Sequence, residues 1–279
     1  MPKEKDMIKK IDIYGGTHGN EWTGMHIVKH KKFLKEDIEI FMHESNAEAF
    51  KSNKRYLDVD LNRCFSPLDL ENRGEKNREQ QKALEIADQI KDSDFVIDLH
   101  TTTSDMGPTL IITKKDDLIL RICKKAQEYY PKIKIILEYG DPYLVSLAKR
   151  GVIIEVGPCP QGVVKDIIFD QSVLCVEAVL SAVKDHNEGH EIGELETDVF
   201  EVFERVDYPR NEKQEIAAYL HNHIEEKCFK LLKIGEPLFK TFHGEVIHNV
   251  KYEGYPIFIN EAAYYEKGVA FVLTRKRKA

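Results

Sequence analysis

Two histidines and a glutamate in the first hundred residues have the types and the spacing of metal ligands. His18 precedes Glu21 by three residues in the stretch GGTHGNE, and His100 ends the apolar run SDFVIDLH. Two imidazoles and one carboxylate suit a catalytic zinc ion whose fourth position stays open for water. A single histidine is more often a packing or surface residue, but the three together favour one Zn²⁺ per chain.

The elements around these residues predict where they meet. Ile11–Tyr14 has the alternation of a β-strand, Gly15 and Gly16 allow a tight turn with close backbone approach, and the pattern Trp22–Phe33 is typical of an amphipathic helix. In open α/β sheets, ligands bind at the carboxyl ends of the strands, so the three candidate ligands should share one edge. Asp98, two residues before the second histidine, lies on the same side of its strand and could orient that imidazole.

Glu155 is the one charged residue in the apolar segment Gly151–Gly157. A strand of this composition is expected to be buried on both faces. A carboxylate there must be paired, bound to metal, protonated or used to transfer protons. The pattern alone favours a catalytic base and a structural carboxylate about equally.

The segment RYLDVDLNR contains Arg55, Asn62 and Arg63. Arginine can bind a carboxylate through two parallel hydrogen bonds, which lysine cannot do. The alternative is a solvated edge with salt-bridged arginines, and this segment taken alone favours that alternative.

Length and periodicity predict two domains. The 279 residues are 42% hydrophobic, enough for one large core and a smaller one. Strand and helix patterns alternate through about residue 190, which predicts a doubly wound α/β domain over residues 1–190. The polar segment His186–Asp198 is the predicted linker, and short strand patterns separated by turns predict a mainly β domain over residues 191–279.

Charge and cysteine usage narrow the class of protein. The net charge of -7 argues against general binding to nucleic acid, and no run approaches the roughly 18 apolar residues of a membrane span. The amino terminus does not resemble a signal peptide. Five cysteines without a CxxC pair predict free thiols in a reducing cytoplasm.

Longer motifs resemble the aspartoacylase and succinylglutamate desuccinylase family of zinc carboxypeptidase-like proteins. In chain order they are GGTHGNE, RY with DLNR, DLHTTTSDMG, IEVGP followed by QG, VDYPR, a variant motif at Gln214–His221 and PIFINEAAYYEK. They cover nearly the whole chain, and NEAAYYEK is closer to aspartoacylase than to the desuccinylases. The resemblance implies a zinc carboxypeptidase-like catalytic domain and a carboxy-terminal domain that caps the active site.

The resemblance also implies catalytic roles. The three predicted ligands would hold zinc, Glu155 would be the general base that activates water, and Arg55 would polarise the acyl carbonyl and stabilise the oxyanion. Amide hydrolysis at neutral pH needs a Lewis acid, a proton carrier and a positive donor, so each requirement has a candidate.

Four further residues are implied to bind the substrate. Asn62 and Arg63 would hold its α-carboxylate, Tyr264 would reach a substrate carboxylate from the second domain, and Phe258 would lie near the acyl pocket.

Two positions depart from the family pattern. Aspartoacylases have an arginine about ten residues before the catalytic glutamate, which binds the acidic side chain of the substrate, and here that position is Val145. Either Lys149 or Arg150 replaces it, or the enzyme no longer selects an aspartate side chain. In addition, Thr101 stands where an asparagine usually follows the third ligand.

The predicted reaction is zinc-dependent deacylation of an N-acyl amino acid, with N-acetyl-L-aspartate, giving acetate and L-aspartate, as the first candidate. An aminoacylase for other N-acyl amino acids, a desuccinylase, a carboxypeptidase and a non-catalytic metal-containing binding protein are the alternatives. Glu155 argues against the last, and NEAAYYEK, which narrows the entrance in the family, argues against an open peptide groove. The predicted partners are a small-molecule substrate and, by resemblance, further copies of the chain.

Overall fold

The strand patterns of the sequence form one nine-stranded sheet and one three-stranded sheet. We describe a computed structural model that covers residues 6–71, 74–140, 142–190 and 196–279, with the backbone alone at residues 265 and 266. The strands are β1 (Lys10–Gly15), β2 (Glu39–Glu44), β3 (Phe95–Thr101), β4 (Gly107–Ile112), β5 (Lys134–Leu137), β6 (Gly151–Gly157), β7 (Asp198–Val206), β8 (Ala218–Leu220), β9 (Pro237–Thr241), β10 (Val246–His248), β11 (Tyr255–Ile257) and β12 (Phe271–Lys278).

Seven α-helices lie within the described residues. They are α1 (Trp22–His30), α2 (Ala47–Lys51), α3 (Pro67–Glu71), α4 (Arg78–Ile90), α5 (Asp117–Tyr129), α6 (Asp166–Glu188) and α7 (Asn222–Glu225), with 3₁₀ turns at Leu61–Arg63, Leu144–Ser146 and Ala262–Lys267. None of these helices is both long and apolar enough to cross a lipid bilayer.

The large sheet has the order β11-β12-β7-β5-β4-β6-β3-β1-β2. Its centre is mixed, because β1, β2, β3 and β6 run parallel to one another while β4 pairs with β6 in the antiparallel direction. The predicted α/β class is confirmed.

Side chains on both faces of the central strands of this sheet are buried, because helices and loops cover each face there. Ile13 and Ile97 belong to the core under α1, α5 and α6, whereas their chain neighbours Tyr14 and Val96 point to a second core on the α4 side. Every residue of β3 and β6 is buried, as predicted for strands with continuous apolar composition.

The carboxy-terminal region is mainly β, as predicted, but it does not form a sheet of its own. β7 pairs with β5 in parallel, with Ile135 opposite Val199, and β12 and β11 extend the same sheet. Only β8, β9 and β10 form the separate three-stranded sheet. α6 continues to Glu188, into the predicted linker, and residues 191–195 of that linker lie outside the described residues.

Local backbone geometry sets several of the element boundaries. β2 begins at Glu39 because Asp37 has a positive φ of 59°, and β11 ends at Ile257 because Phe258 has a φ of 48°. α1 ends at His30, where the next residue is extended. The elements α3, β8 and α7 were not predicted from the sequence.

Candidate active site

The turn between β1 and α1 brings His18 and Glu21 to the carboxyl end of the sheet. Gly16 has a φ of +77°, and a Cβ atom on Gly15 would lie 2.3 Å from the carbonyl oxygen of Gly24. The predicted tight turn therefore depends on glycine at both positions. Glu21 occupies the N-cap position of α1 but makes no capping hydrogen bond, which leaves its carboxylate for the site.

The three predicted metal ligands form one buried cluster. The Oε1 atom of Glu21 lies 2.7 Å from Nδ1 of His18, and its Oε2 atom lies 2.9 Å from Nδ1 of His100. The candidate ligand atoms of the three residues all lie within 4.8 Å of one another. They meet because β1 and β3 are parallel neighbours in the sheet.

Two aspartates face the outer nitrogens of the imidazoles. Oδ2 of Asp98 lies 2.8 Å from Nε2 of His100, and Oδ1 of Asp60 lies 3.1 Å from Nε2 of His18. At His100 such a carboxylate can accept a proton held on Nε2, which leaves the lone pair of Nδ1 for a metal. The contact with Asp98 was predicted. Asp60 was not singled out, although its place in RYLDVDLNR was a signal that could have identified it.

The electrostatics of Glu21 suit a cation ligand. Burial alone would raise its pKa, but the neighbouring His18 and His100 outweigh burial and hold the pKa of Glu21 well below its usual range. The carboxylate therefore stays ionised at neutral pH. Two imidazoles and one buried carboxylate fit a divalent metal ion.

Glu155 lies beside the cluster without a partner of its own. It stands on β6 opposite His100 on β3, and its carboxylate makes no hydrogen bond or ion pair with any residue that the structure describes. Burial raises its pKa well above the usual value, the charges of Glu21 and Glu261 raise it further, and His100 and Arg55 offset this only in part. A carboxyl group with a raised pKa is a stronger base than an ordinary carboxylate, which suits a residue that accepts and returns a proton.

Arg55 places a permanent positive charge next to the ligands. Its Nη1 atom lies 3.1 Å from Oε1 of Glu21, and its Nη2 atom lies 3.5 Å from Oδ2 of Asp60 and 2.8 Å from Nε2 of His18. Burial would lower the pKa of Arg55, but Glu21 and Asp60 outweigh burial and raise it. Its buried Nε atom has no hydrogen-bond partner in the described part of the chain.

A cavity of about 510 Å³ opens beside this cluster. All nine residues predicted as metal ligands, catalytic residues or substrate-binding residues line it. The lining residues are His18, Glu21, Arg55, Asn62, Arg63, His100, Thr101, Thr102, Ile111, Glu138, Tyr143, Ile153, Glu155, Phe258, Glu261, Ala263 and Tyr264.

Asn62 and Arg63 reach the cavity from the 3₁₀ turn Leu61–Arg63. The side chain of Asp60 accepts a hydrogen bond from the backbone N–H of Asn62 at 3.0 Å and so caps this turn. Asn62 accepts a hydrogen bond from the backbone N–H of Leu144, and the guanidinium of Arg63 lies 5.5 Å from the ring centroid of Tyr143. Both side chains are therefore held against the turn that follows β5.

The segment Ala262–Lys267 covers the cavity from the carboxy-terminal region. Oε2 of Glu261 accepts hydrogen bonds from the Thr103 backbone N–H at 2.7 Å, from the Thr103 hydroxyl and from the Thr102 hydroxyl. The ammonium of Lys267 lies 3.2 Å from Oδ2 of Asp60. Glu261 and Lys267 were not predicted as site residues, although both belong to the NEAAYYEK motif.

Tyr264 and Phe258 form an aromatic wall, with ring centroids 5.4 Å apart. Burial raises the pKa of the Tyr264 phenol, and the carboxylates of Glu138 and Glu155 add to this effect. The phenol is therefore neutral at physiological pH and can donate a hydrogen bond.

The structure does not place the cations that were considered as replacements for the family's arginine at this cavity. Val145 is buried in the core on the α4 side. Lys149 and Arg150 precede β6, at the opposite end of the strand from Glu155, and their side chains lie near Asp94 and near Asp6 and Asp116, respectively. Neither lines the cavity, so neither can take over the role of that arginine.

Known proteins with similar sequences share the full extent of the chain. A probable aspartoacylase from Nostoc sp. is 38% identical over 289 residues, which cover 97% of each protein. An N-acyl-aromatic-L-amino acid amidohydrolase (carboxylate-forming) from Xenopus tropicalis is 37% identical over 291 residues, which cover 96% of this chain and 93% of the relative.

The fold is similar to that of a solved structure, and family models match both parts of the chain. The crystal structure of murine aminoacylase 3 superimposes with a TM-score of 0.93 at 29% identity, covering 100% of this chain and 98% of the other. Residues 7–183 match the succinylglutamate desuccinylase/aspartoacylase catalytic domain, and residues 195–276 match the AstE/AspA barrel-sandwich hybrid domain. The chain therefore belongs to the succinylglutamate desuccinylase/aspartoacylase family.

Proposed function

We propose that the protein hydrolyses the amide bond of an N-acyl amino acid and releases a short carboxylic acid. The observation that supports this most directly is an unpartnered buried carboxylate, Glu155, beside a His–Glu–His cluster in one cavity. The names of the relatives, aspartoacylase and N-acyl-aromatic-L-amino acid amidohydrolase, support the same reaction.

The metal in this proposal is zinc, held by His18, Glu21 and His100. Nitrogen and carboxylate ligands in a set of three are typical of catalytic zinc. When bound, the ion would polarise the scissile carbonyl and lower the pKa of water.

Glu155 is the proposed proton carrier. It takes a proton from the water whose oxygen attacks the acyl carbon, and it returns that proton to the amide nitrogen as the carbon–nitrogen bond breaks. The products are the carboxylate of the acyl group and the free amino acid. Arg55, charged and adjacent, donates to the carbonyl oxygen as negative charge develops there.

The remaining lining residues hold the substrate in this proposal. Asn62 and Arg63 bind its α-carboxylate, Tyr264 donates to a substrate carboxylate, and Phe258 packs near the acyl group. Residues 1–190 would then form the catalytic domain and residues 191–279 a domain that caps it. The contacts of Glu261 with Thr103 support the capping role.

Two substrate classes follow from the names of the relatives. N-acetyl-L-aspartate is the first candidate. N-acyl amino acids with apolar or aromatic side chains are the second, and Ile111, Ile153 and Tyr143 in the cavity wall favour them. We place the protein in the cytoplasm, since all five cysteines are free thiols, and we keep a homo-oligomer as part of the proposal.

The test is amino-acid release by the zinc-loaded protein, with a chelator-treated sample as the control. The panel contains N-acetylaspartate, N-acetylglutamate, N-succinylglutamate, N-acetylleucine, N-acetylphenylalanine and unmodified peptides. We expect zinc-dependent release from N-acetyl amino acids. Release of carboxy-terminal residues from the peptides would support a carboxypeptidase instead, and no release from any compound would support a non-catalytic binding protein.

A further inference from the structure

A buried glutamate also lines the cavity, at the end of a strand apart from those that carry the metal ligands. Glu138 follows β5, and its backbone N–H donates a hydrogen bond to the carbonyl oxygen of Ile112 at 3.0 Å. The residue is only 6% exposed, and it lines the cavity. In the sheet, β4 and β6 separate β5 from β3, which carries the ligand His100.

Apolar side chains connect the ligands to this glutamate. Ile153 on β6 and Ile111 on β4 are register partners, and both line the cavity. Tyr143 and Phe258 line it as well. Because β6 and β4 lie between β3 and β5, a substrate group that extends from the reacting carbon toward Glu138 crosses the strands that carry these apolar side chains.

The positive charges of the cavity lie elsewhere. Among the described lining residues, Arg55 and Arg63 are the only cationic side chains besides the two histidines. Arg55 contacts the ligand cluster, and Arg63 lies over Tyr143. The guanidinium of Arg205 lies 2.6 Å from Oε1 of Glu138, but Arg205 is 46% exposed and does not line the cavity. Of these two partners, Glu138 lines the cavity and Arg205 does not.

We propose that Glu138 is a specificity-determining residue that excludes acidic substrate side chains and selects N-acyl amino acids with an apolar side chain, above all one that ends in an ammonium group. This inference rests on the proposed amide hydrolysis and orders its candidate substrates. It places N-acetylaspartate below neutral and cationic substrates.

The physical basis is the interaction between charges in a site of low polarity. A substrate carboxylate near Glu138 meets a like charge and loses its hydration, whereas an ammonium group gains an opposite charge. Arg205 offsets part of the charge of Glu138, so we expect a discrimination of about tenfold between neutral and acidic side chains of equal size.

The test compares kcat/KM for Nα-acetyl derivatives of glutamate, glutamine and ornithine, which have similar length and different charge, with N-acetylleucine as the apolar reference. Wild type, Glu138→Gln and Glu201→Gln are measured with zinc bound. Glu201 is the matched control, because it stands next to β5 opposite Leu137 and pairs with Arg277, yet does not line the cavity. Thermal unfolding verifies that each variant is folded.

We expect wild type and Glu201→Gln to prefer ornithine and glutamine over glutamate. Glu138→Gln should reduce the glutamine-to-glutamate ratio about tenfold, mainly through KM, and leave N-acetylleucine within about threefold of wild type. A wild-type preference for the acidic derivative would overturn the proposal whether or not the variant folds. An unchanged ratio in folded Glu138→Gln would show a purely structural ion pair and would also overturn it.

Two further outcomes separate this inference from the proposed function. If N-acetylleucine is hydrolysed but the preference among substrate side chains of different charge does not depend on Glu138, the inference alone is overturned. No hydrolysis of any derivative would overturn the proposed function as well. If Glu138→Gln changes the preference between N-acetylleucine and N-succinylleucine instead, the residue faces the acyl group and the assignment to the side chain is wrong.

Discussion

The ammonium of Lys267 lies 3.2 Å from Oδ2 of Asp60, and Oδ1 of the same aspartate lies 3.1 Å from Nε2 of His18. One buried carboxylate thus connects the segment that covers the cavity with a predicted metal ligand. Burial would raise the pKa of Asp60, but His18, Arg55 and Lys267 outweigh burial and lower it. Asp60 is therefore an anion throughout the physiological range.

Replacement of Lys267 by methionine should weaken substrate binding more than it weakens the fold. The ammonium is 38% exposed, so its ion pair should contribute at most about 1 kcal/mol to stability. Loss of the ion pair between Lys267 and Asp60 should raise KM about tenfold, because the segment Ala262–Lys267 positions Tyr264. Steady-state kinetics with Lys233→Met, an exposed neighbour in the same region, as the control would measure this. A KM equal to that of wild type would show that substrate binding does not depend on the ion pair between Lys267 and Asp60.

Asp98→Asn should lower metal affinity without unfolding the protein. Oδ2 of Asp98 lies 2.8 Å from Nε2 of His100, and its Oδ1 atom accepts a hydrogen bond from the hydroxyl of Thr17 at 2.7 Å. The amide of asparagine has only one oxygen, so it cannot accept hydrogen bonds at both positions. Loss of such an orienting carboxylate typically weakens metal binding by about 10–100-fold. Competition between the protein and a chelating dye for zinc would measure the change, with Asp170→Asn on the exposed face of α6 as the control. Unaltered affinity would mean that His100 needs no such support.

Glu155→Gln should abolish most of the turnover while zinc stays bound. An amide of the same shape cannot take a proton from water, so kcat should fall by at least about 10²-fold. Bound zinc is measured by elemental analysis, and Glu201→Gln on β7 provides the control for the loss of one negative charge on another strand of the same sheet. Near-normal turnover by the zinc-loaded variant would exclude Glu155 as the proton carrier.

The same substitution should change how stability depends on pH in the metal-free protein. The pKa of Glu155 lies well above its usual 4.5 in the folded state, because burial disfavours the carboxylate. Protonated Glu155 therefore contributes to the free energy of unfolding. This contribution is fully present below the pKa that the residue has in the unfolded chain, and it is lost as pH rises through the pKa that it has in the folded protein. Glutamine has no such loss, so the stability of the variant relative to wild type should rise with pH between the usual pKa of 4.5 and the raised pKa of the folded state. The difference in Tm between the two metal-free proteins, measured across this range, should increase with pH. A constant difference would contradict the raised pKa.

The sequence alone was sufficient to identify the site residues whose position follows from strand geometry. His18 and His100 come together because two parallel neighbours deliver their carboxyl ends to one edge. Asp98 reaches His100 because strand side chains alternate with a period of two. Glu155 could be identified because a charge inside a fully buried strand requires a partner or a function.

Residues that reach the site through long-range packing could not be found in this way. Glu261 contacts Thr103, and Lys267 contacts Asp60, across more than 150 positions of the chain, and no local pattern encodes such a pair. The alternation of apolar and polar residues likewise identifies β7 as a strand, but it does not predict that β7 pairs with β5. For the same reason Lys149 and Arg150 were candidates by proximity in sequence, although a strand's length separates them from Glu155.

The pairing of β7 with β5 has a consequence for any attempt to produce the two parts of the chain separately. A protein cut near residue 190 would leave the β5 segment KIIL with one side of unpaired N–H and carbonyl groups, in place of the neighbour it has in the full sheet. Open edges of this kind recruit strands from other molecules. We therefore expect the amino-terminal part alone to aggregate, and co-expression of the two parts from separate genes to restore soluble protein.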